Sequence, residues 1–251
     1  MKTITSPHNE QVKRTVSLHT SRGRRQAGAF LVEGIRACEP FFSHQFDLEV
    51  LWVAEKYVVW ATSLPIDQTR IRLTDEMVMR KMSTVTTPSG VIAVFKQPTE
   101  RSLTLGPLTL AAVDLQDPGN MGTIIRTAAA FEVPVVAIGG VDIWSPKVVQ
   151  ASAGALAFKG VVRSSWGDLV SQARNEKIEI SALVASGGLP LSRFICGVRR
   201  VVVVGGEAHG LSDTYLADCQ GRISISMPGG TESLNAAVAG SIALYALTSE
   251  K

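Results

Sequence analysis

The sequence has 251 residues, 45% of them hydrophobic, and a formal net charge of +3, which together favour one large or two modest globular domains. No run of about 18 apolar residues occurs, and the first ten residues, MKTITSPHNE, lack the apolar segment of a secretory signal, so neither a membrane-spanning nor a secreted protein is expected. The three cysteines, Cys38, Cys196 and Cys219, form no CxxC pair, so neither a metal site nor a disulfide framework is expected, and a reduced, cytoplasmic location fits best.

The positive charge is concentrated at the N-terminus. Residues 1–36 contain seven basic and two acidic residues, a local charge of +5, which leaves −2 for the remainder of the chain. A basic segment on a near-neutral body is typical of a protein with a polyanionic partner, but it is equally compatible with a solvated helix face. Arg22, Arg24 and Arg25 cluster within TSRGRR, which we interpret as a turn.

The N-terminal region is expected to form a small α/β domain. LEVLWVA (48–54), RIRLTDEMVMRKMS (70–83) and GVIAVFK (90–96) predict a strand, a helix and a strand in that order. The next stretch, QPTERSLTLGP, contains two prolines and a glycine with little apolar periodicity, which indicates a linker. We therefore divide the chain into a domain at residues 1–97, a linker at 98–107 and a second domain at 108–251.

Apolar strands alternate with helices after the linker. The predicted strands are LTLAAVD, VPVVAIG, IEISALVA, RRVVVVGG and RISISM, and the predicted helices are MGTIIRTAAAF, PKVVQASAGAL and SLNAAVAGSIALYALTS. Strands that are apolar along their whole length are typical of a mostly parallel sheet covered by helices on both faces. The second domain is therefore predicted to have an α/β fold of this class.

Three polar, glycine-containing stretches end strands of this sheet, namely DLQDPGNMGTIIR, VVVVGGEAHGLS and ISISMPGGTESLN. Parallel sheets bind ligands at the carboxyl ends of their strands, so these stretches are the candidate site loops. None contains the lysine and Ser/Thr pair of a P-loop, and no GxGxxG follows the first strand after the linker. Both absences argue against ordinary nucleotide and dinucleotide sites.

The polar residues of these stretches each have two interpretations. Asn120 is expected just before a helix and Arg126 in its second turn, where they either cap the helix and face solvent or bind an anion, for which a guanidinium is well suited. Glu207 either accepts a hydrogen bond from a ribose hydroxyl or holds a cap. Ser233 and Asn235 either cap the last helix or orient a ligand.

Taken together, DPGNMGTIIRTAAAF, GGEAHGLS and ISMPGGTESLNAAVAG resemble the three motifs of the SpoU/TrmH family of RNA ribose 2′-O-methyltransferases, in the SPOUT superfamily. The N-terminal ITSPHNEQVKRTVSLHTSRGRRQAGAFLVEGIRACEPF resembles the RNA substrate-binding domain that many members carry, so the resemblance covers nearly the whole chain. Three residues depart from the family pattern. Gly206 stands where Asn, Ser or Ala is frequent, Glu132 where glycine is common, and Ser226 where proline is usual.

The resemblance implies a fold, a cofactor and a set of site residues. The second domain would contain a deep trefoil knot, and the protein would be a homodimer in which the small-residue helix after Asn235 packs against the partner. S-adenosyl-L-methionine would be bound, without a metal, by Gly205, Ile225, Met227 and Leu234. The catalytic residues would be Arg126, Asn120, Ser233, Asn235 and Glu207, and RNA would contact Arg22, Arg24 and Arg25.

The implied reaction is attack of a ribose 2′-hydroxyl on the sulfonium methyl group. Because arginine holds its proton strongly, Arg126 is expected to grip a phosphate and stabilise the developing oxyanion, and the proton acceptor is either that phosphate or an Arg126 perturbed by it. The basic N-terminal domain favours a large structured RNA, with 23S ribosomal RNA ahead of transfer RNA. The alternatives are a transfer-RNA ribose 2′-O-methyltransferase, an enzyme that protects ribosomal RNA from an antibiotic, and a non-catalytic RNA-binding module of the same fold.

Overall fold

A computed structural model describes residues 1–98, 102–158, 160–193 and 199–248 of the chain. Residues 99–101 of the expected linker, and Cys196, lie outside the described residues. The chain forms two compact units, the first made of Met1–Thr99 with Trp144–Ala157 and the second of Glu100–Ile143 with Phe158–Lys251. The first unit therefore includes a segment that the sequence division assigns to the second domain.

The first unit is built on one mixed sheet. Its elements within residues 1–98 are β1 (Lys2–Ile4), α1 (Glu10–Ser17), α2 (Ser21–Ala27), β2 (Ala29–Glu33), α3 (Ile35–Ser43), β3 (Leu48–Val53), α4 (Val58–Ser63), β4 (Ile71–Thr74), α5 (Glu76–Met82) and β5 (Val91–Lys96). The strand order is β1-β4-β3-β5-β2, with β5 antiparallel to both of its neighbours and the other pairs parallel. Trp52 on β3 is fully buried and donates a hydrogen bond to the Thr15 hydroxyl of α1 at 3.1 Å, which ties that helix to the sheet.

The stretch RIRLTDEMVMRKMS is a strand followed by a helix, so the prediction of one continuous helix is wrong. Its first residues pair with β1 and β3 as strand β4. Asp75 then takes an extended conformation, and its carboxylate accepts from the backbone N–H of Val78 at 2.8 Å. Because this N-cap satisfies a free donor of the first turn, α5 begins only at Glu76.

Arg24 is a structural residue, and the turn predicted for TSRGRR is the start of helix α2, capped by the Thr20 side chain. The Arg24 side chain is 3% exposed and donates to the carbonyl oxygens of Leu18 at 2.8 Å and His19 at 3.0 Å. These carbonyls follow the end of α1, where the helix leaves acceptors without partners. Since its guanidinium is engaged inside the unit, Arg24 is withdrawn from the residues expected to contact RNA, whereas Arg22 and Arg25 are exposed.

Replacing Arg24 with methionine is expected to lower the free energy of unfolding by about 1–3 kcal/mol, because the substitution leaves buried carbonyl oxygens without a donor. Urea denaturation followed by tryptophan fluorescence measures this change. The same substitution at the exposed Arg22 or Arg25 is expected to change the value by less than about 0.5 kcal/mol. Equal losses at the three positions would show that Arg24 has no special structural role.

The chain after the linker supplies one further helix to the first unit and a separate sheet to the second unit. Its elements are β6 (Leu108–Val113), α6 (Pro118–Ala130), β7 (Val135–Ile138), α7 (Pro146–Ala151), β8 (Val161–Arg163), α8 (Trp166–Asn175), β9 (Glu179–Val184), β10 (Leu189–Pro190), β11 (Arg200–Val204), α9 (Asp213–Ala217), β12 (Gly221–Ser224) and α10 (Ala236–Thr248). The described strands follow the order β10-β12-β9-β11-β6-β7-β8, and every pair is parallel. The predicted α/β class with a parallel sheet is confirmed.

Helix α7 is shorter than predicted and belongs to the first unit. The predicted helix PKVVQASAGAL ends at Ala151, because Ala153 and Gly154 follow in the left-handed region, with φ of 49° and 88°. The helix packs against β2, and Trp144 just before it places its ring centroid 4.5 Å from that of Phe30. These contacts explain why the segment groups with the first sheet.

Helix α10 packs its small residues inward. A Cβ atom on Gly240 would lie 3.4 Å from a methyl of Val204 and 3.7 Å from Ile124, so Gly240 faces the core of its own unit. The expectation that the small-residue face of this helix contacts a partner is therefore wrong. The exposed large apolar side chains of α10 are Val238, Ile242 and Tyr245, and their spacing places them on one face of the helix. Among the described helices, none is long and apolar enough to cross a membrane.

Candidate active site

Three loops of the second unit converge at the carboxyl ends of its strands. They follow β6, β11 and β12, and they contain the polar residues singled out in the sequence. Two hydrogen bonds join them: Asn235 donates from Nδ2 to Oδ1 of Asn120 at 2.9 Å, and Asn120 donates from Nδ2 to Oε1 of Glu207 at 2.7 Å. Each of these two bonds joins residues that are more than 80 positions apart in the sequence. We call the connected residues Asn235, Asn120 and Glu207 the Asn–Asn–Glu chain.

The two asparagines occupy different places in their helices. Helix α6 begins at Pro118 and is capped by Asp117, whose carboxylate accepts from the Asn120 N–H at 2.8 Å. Asn120 therefore lies in the first turn and not before it, and the interpretation of Asn120 as a cap is wrong. Its side chain is left free to bond across loops.

Asn235 combines the two roles that the sequence left open. Its Oδ1 accepts from the N–H groups of Ala237 at 2.9 Å and Val238 at 3.2 Å, which caps the start of α10. Its Nδ2 donates to Asn120. An amide side chain suits this position because it carries an acceptor and two donors at once.

Glu207 is held as a carboxylate. Its two oxygens accept from Asn120 and from the backbone N–H groups of Gln116 and Asp117, each backbone bond being 3.2 Å long. Burial acts to raise the pKa of Glu207, but the bonds from Asn120 and from the N–H groups of Glu207, Gln116 and Asp117 outweigh it, so the pKa lies below its ordinary value. Glu207 therefore fixes the loop after β6 and is a poor proton acceptor at neutral pH.

A cavity of about 610 Å³ lies beside the Asn–Asn–Glu chain. All four residues predicted to contact a cofactor line it, namely Gly205, Ile225, Met227 and Leu234. Ser233, Asn235 and Glu207 line it as well. Sequence reasoning missed the wall formed by residues 183–185 at the end of β9, although IEISALVA was predicted as a strand whose carboxyl end points to the same edge. Apolar walls with backbone polar groups can hold a nucleoside.

Glycine is required where the loop after β11 folds back. A Cβ atom on Gly205 would lie 2.6 Å from the backbone oxygen of Gly210 and 2.6 Å from the backbone nitrogen of Leu211. A Cβ atom on Gly206 would lie 2.7 Å from the carbonyl oxygen of Asp114, which explains the departure from the family pattern at this position. The loop can therefore fold back on itself only if Gly205 lacks a side chain, and it can press against the end of β6 only if Gly206 lacks one.

Asp114 and Tyr215 form a second connection that the sequence analysis did not identify. Asp114 directly follows β6 with a left-handed φ of 53°, and its carboxylate accepts from the Tyr215 hydroxyl at 3.0 Å. The bond and the nearby charge of Asp114 raise the pKa of the tyrosine. Asp114 could be recognised in the sequence as the polar residue at the end of LTLAAVD. Nothing in the sequence indicated that Tyr215, about a hundred residues later, is its hydrogen-bonding partner.

Arg126 stands apart from the cavity. It is the ninth residue of α6, in the third turn and not the second, and it is exposed. It makes no hydrogen bond or ion pair with the part of the chain that the structure describes, and it is not among the residues that line the cavity. It lies six residues after Asn120, which places the two side chains about 120° apart around the helix. The guanidinium is therefore free to meet an anion from outside the unit.

Metal-binding side chains do not gather in the described residues. No group of three or more His, Cys, Asp or Glu side chains there is close enough to hold an ion. The described residues of the site therefore offer an apolar cavity, oriented amide and hydroxyl groups and one fixed carboxylate, with the guanidinium of Arg126 outside the cavity.

The sequence profiles of two known protein families match the chain. The SpoU rRNA Methylase family matches residues 107–245, and the MRM3-like substrate binding domain matches residues 9–93. The first match covers more than half of the chain and includes all three loops of the site.

Individual proteins match over nearly their whole length. A 23S rRNA (guanosine(2553)-2′-O)-methyltransferase of Bacillus subtilis, RlmP, is 28% identical over 98% of this chain and 99% of its own. The structure of a putative RNA methyltransferase of the TrmH family from Porphyromonas gingivalis has a TM-score of 0.87, with 29% identity over 96% of this chain and 98% of its own. An AdoMet-bound rRNA methyltransferase from Sinorhizobium meliloti also has a TM-score of 0.87, with 23% identity over 98% and 97% of the two chains, and shows the same fold.

Proposed function

Since the chain belongs to the SpoU rRNA methylase family and is thus an RNA methyltransferase, we propose that it transfers a methyl group from S-adenosyl-L-methionine to a ribose 2′-hydroxyl of 23S ribosomal RNA. The observation that carries this proposal is the Asn–Asn–Glu chain, which joins three loops beside a cavity of nucleoside size. The named 23S rRNA 2′-O-methyltransferase with which it aligns from end to end supports the choice of target.

S-adenosyl-L-methionine fits the cavity by its chemistry. The adenine needs an apolar slot, which Ile225, Met227 and Leu234 provide, and polar backbone partners, which the tight loop at Gly205 presents. The cofactor supplies an already activated methyl group on a sulfonium centre, so the reaction needs no metal. The AdoMet-bound structure with the same fold supports this assignment.

The protein residues orient the ribose and stabilise charge. The hydroxyl of Ser233 lies in the cavity wall and is exposed, so it can bond to the ribose, while Asn235 and Asn120 hold the loops in register. The lowered pKa of Glu207 and the four hydrogen bonds that its carboxylate accepts argue that it positions the loops and does not take the 2′-hydroxyl proton. Arg126 grips the neighbouring phosphate and stabilises the oxyanion that develops as the proton leaves.

A homodimer would bring Arg126 to a cavity. Because this side chain makes no hydrogen bond or ion pair with the described residues and does not line the cavity of its own chain, we propose that it serves the cavity of the partner. The exposed apolar face of α10 formed by Val238, Ile242 and Tyr245 is the proposed contact. The deep trefoil knot belongs to the same proposal and rests on the family resemblance. So does the division into an RNA-binding domain at 1–97, a linker at 98–107 and a methyltransferase domain at 108–251.

Replacing Ile242 with glutamate is expected to convert the dimer to a monomer, because it buries a charge in an apolar contact. Light scattering at micromolar concentration reports the mass directly. Val59→Glu is the matched control, because Val59 is also an exposed apolar residue on a helix and is 82% exposed in the first unit. A dimer mass for Ile242→Glu, or a monomer mass for the unmodified chain, would refute the proposed contact.

The exposed Arg22 and Arg25 are proposed to bind RNA phosphates. Replacing both with glutamine is expected to weaken binding to ribosomal RNA and to reduce the slope of log affinity against log salt by up to about two, because roughly one counterion is released per phosphate contact. A filter-binding titration across salt concentrations measures this slope. The double variant Arg80→Gln/Lys81→Gln removes the same charge from another exposed helix and should leave the slope unchanged. An unaltered slope in the Arg22→Gln/Arg25→Gln variant would mean that these two arginines face solvent and do not contact RNA phosphates.

Transfer of a tritiated methyl group from the cofactor to purified RNA tests the proposed target. Ribosomal RNA and transfer RNA from cells that lack the gene are offered separately. Label in the 23S fraction alone is the expected result. Label confined to transfer RNA would instead identify the protein as a transfer-RNA methyltransferase. Binding of RNA without any transfer would favour the non-catalytic module.

A further inference from the structure

The first unit contains a cavity that the proposed chemistry does not use. It has a volume of about 370 Å³, within the range of small-ligand sites. Its walls come from the end of β2 and the start of α3, from the residue before α4, from the segment after α5, and from α7 with the residues that follow it. The residues are Glu33, Gly34, Ile35, Arg36, Ala37, Tyr57, Ser89, Gln150 and Ala153.

Three polar side chains of this cavity have no hydrogen-bonding or ion-pair partner among the described residues. The guanidinium of Arg36, the hydroxyl of Tyr57 and the amide of Gln150 make no hydrogen bond or ion pair with the described residues, although all three line the same space. They come from three different elements and offer a cation, an aromatic ring with a hydroxyl, and an amide. A set of unlike polar groups converging on one cavity is typical of a binding site.

The remaining polar groups are used to build the cavity. The Glu33 carboxylate accepts from the hydroxyl of Ser83 at 2.7 Å, from the N–H and hydroxyl of Thr84 at 3.2 and 3.3 Å, and from the N–H of Ser89 at 3.4 Å. These bonds fix the segment 83–89 against the end of β2. Gly90 at the end of that segment has a φ of 88°, and a Cβ atom there would lie 2.8 Å from the Tyr57 ring, so the ring packs directly on the backbone. The wall is therefore held in place before any ligand binds.

The charges and the ring favour a nucleotide. Gly34 precedes α3 without any side-chain cap, so the free N–H groups of the first turn and Arg36 both favour a phosphate at this end of the cavity. The Tyr57 ring is an aromatic group of the kind against which single-stranded bases pack, and Lys56, whose Nζ lies over that ring at 4.9 Å from its centroid, adds a second positive charge. The Gln150 amide can donate to and accept from a base edge.

We propose that this cavity binds one unpaired nucleotide of the substrate RNA, with its phosphate at Arg36 and its base against Tyr57. The proposal rests on the proposed function for the identity of the RNA. It assigns to the first unit a specific contact in addition to general attraction by its basic surface. The proposal also gives a role to α7. This helix belongs to the first unit although the chain on both sides of it forms the second unit, and it supplies Gln150 to the cavity.

Amide shifts in the NMR spectrum of the full chain test the site without relying on activity. The probes are AMP, GMP, CMP and UMP, with inorganic phosphate as the reference. The nucleotides are expected to shift the N–H signals of Ile35, Arg36 and Ser89, and to do so more than phosphate. Tyr57→Ala should reduce their effect to that of phosphate. Equal shifts from phosphate and nucleotides would mean an adventitious ion only, and unshifted signals would overturn the proposal.

Methylation kinetics with 23S ribosomal RNA test the consequence for the substrate. Arg36→Gln is expected to raise KM for RNA about tenfold, since a lost charged hydrogen bond corresponds to a factor of this size, with kcat and cofactor affinity unchanged. Arg80→Gln, which removes a charge from another exposed arginine, on α5, should change none of the three. An unchanged KM for Arg36→Gln would overturn the role in substrate binding. If the unmodified protein methylates no RNA, the proposed function fails, and the NMR result still decides whether the cavity takes a nucleotide.

Discussion

Replacing Arg126 with alanine is expected to slow methyl transfer by about 10²–10³-fold, the usual loss when one group that stabilises a transition state is removed. Its side chain is exposed and has no partner among the described residues, so the fold should be unaffected. The cavity residues lie on other loops, so cofactor affinity should be unchanged. Single-turnover rates with saturating RNA, and calorimetry with S-adenosyl-L-methionine, measure the two quantities.

Arg126→Lys separates two roles of the charge. If the guanidinium only holds a phosphate, lysine should restore part of the rate, whereas a requirement for planar, two-pronged bonding should leave the lysine variant slow. Arg174→Ala is the matched control because Arg174 is an exposed helical arginine of the same unit, and it should keep the full rate. Full activity in Arg126→Ala would remove this residue from the mechanism.

Replacing Gly205 with alanine is expected to weaken binding of S-adenosyl-L-methionine by about 10–100-fold, which corresponds to the usual cost of forcing a methyl group into a filled space. The added Cβ atom would meet the backbone of Gly210 and Leu211, which cannot move aside as a flexible side chain can. Calorimetry measures the affinity. Gly229→Ala is the control in a neighbouring loop, because no atom lies within 4 Å of a Cβ there and its φ is outside the left-handed region. Equal affinities in the two variants would exclude the loop after β11 from the cofactor site.

The two impaired variants, Arg126→Ala and Gly205→Ala, together test the proposed dimer when the cofactor concentration is too low to saturate Gly205→Ala. If Arg126 serves the partner's cavity, mixed dimers of Arg126→Ala and Gly205→Ala contain one cavity with an intact glycine loop that also receives an intact arginine. Activity should then return on mixing. If the subunits exchange at random, about half of the dimers are mixed and each mixed dimer has one working site of two, so activity should reach up to about a quarter of the normal value. No recovery in mixtures shown to contain mixed dimers would place Arg126 in its own chain's site.

The parallel sheet and the loops of the site could be predicted because their signals are local. Continuous apolar runs such as RRVVVV identify buried strands, and polar residues at the ends of such strands must meet at one edge of the sheet. The bonds from Asn235 to Asn120 and from Asn120 to Glu207 follow from that geometry. The motif resemblance then supplied the chemistry.

The features that the sequence did not predict depend on contacts between distant residues. Whether Arg24 faces RNA or the end of α1 is decided by its position in a seven-residue helix that had been interpreted as a turn. Gly240 lies in a helix that is apolar nearly all round, so periodicity did not indicate which face is buried. Helix α7 belongs to the first unit because it packs on β2, and no local sequence pattern indicated which of the two sheets it would pack against.

The position of the transferred methyl group tests the central claim most directly. Ribosomal RNA labelled by the protein with a tritiated methyl group is digested with alkali, which cleaves RNA only where a free 2′-hydroxyl can attack the adjacent phosphate. Methylation of a ribose 2′-oxygen removes that nucleophile, so the label should be recovered in an alkali-resistant dinucleotide. Label recovered in mononucleotides would place the methyl group on a base and contradict the account.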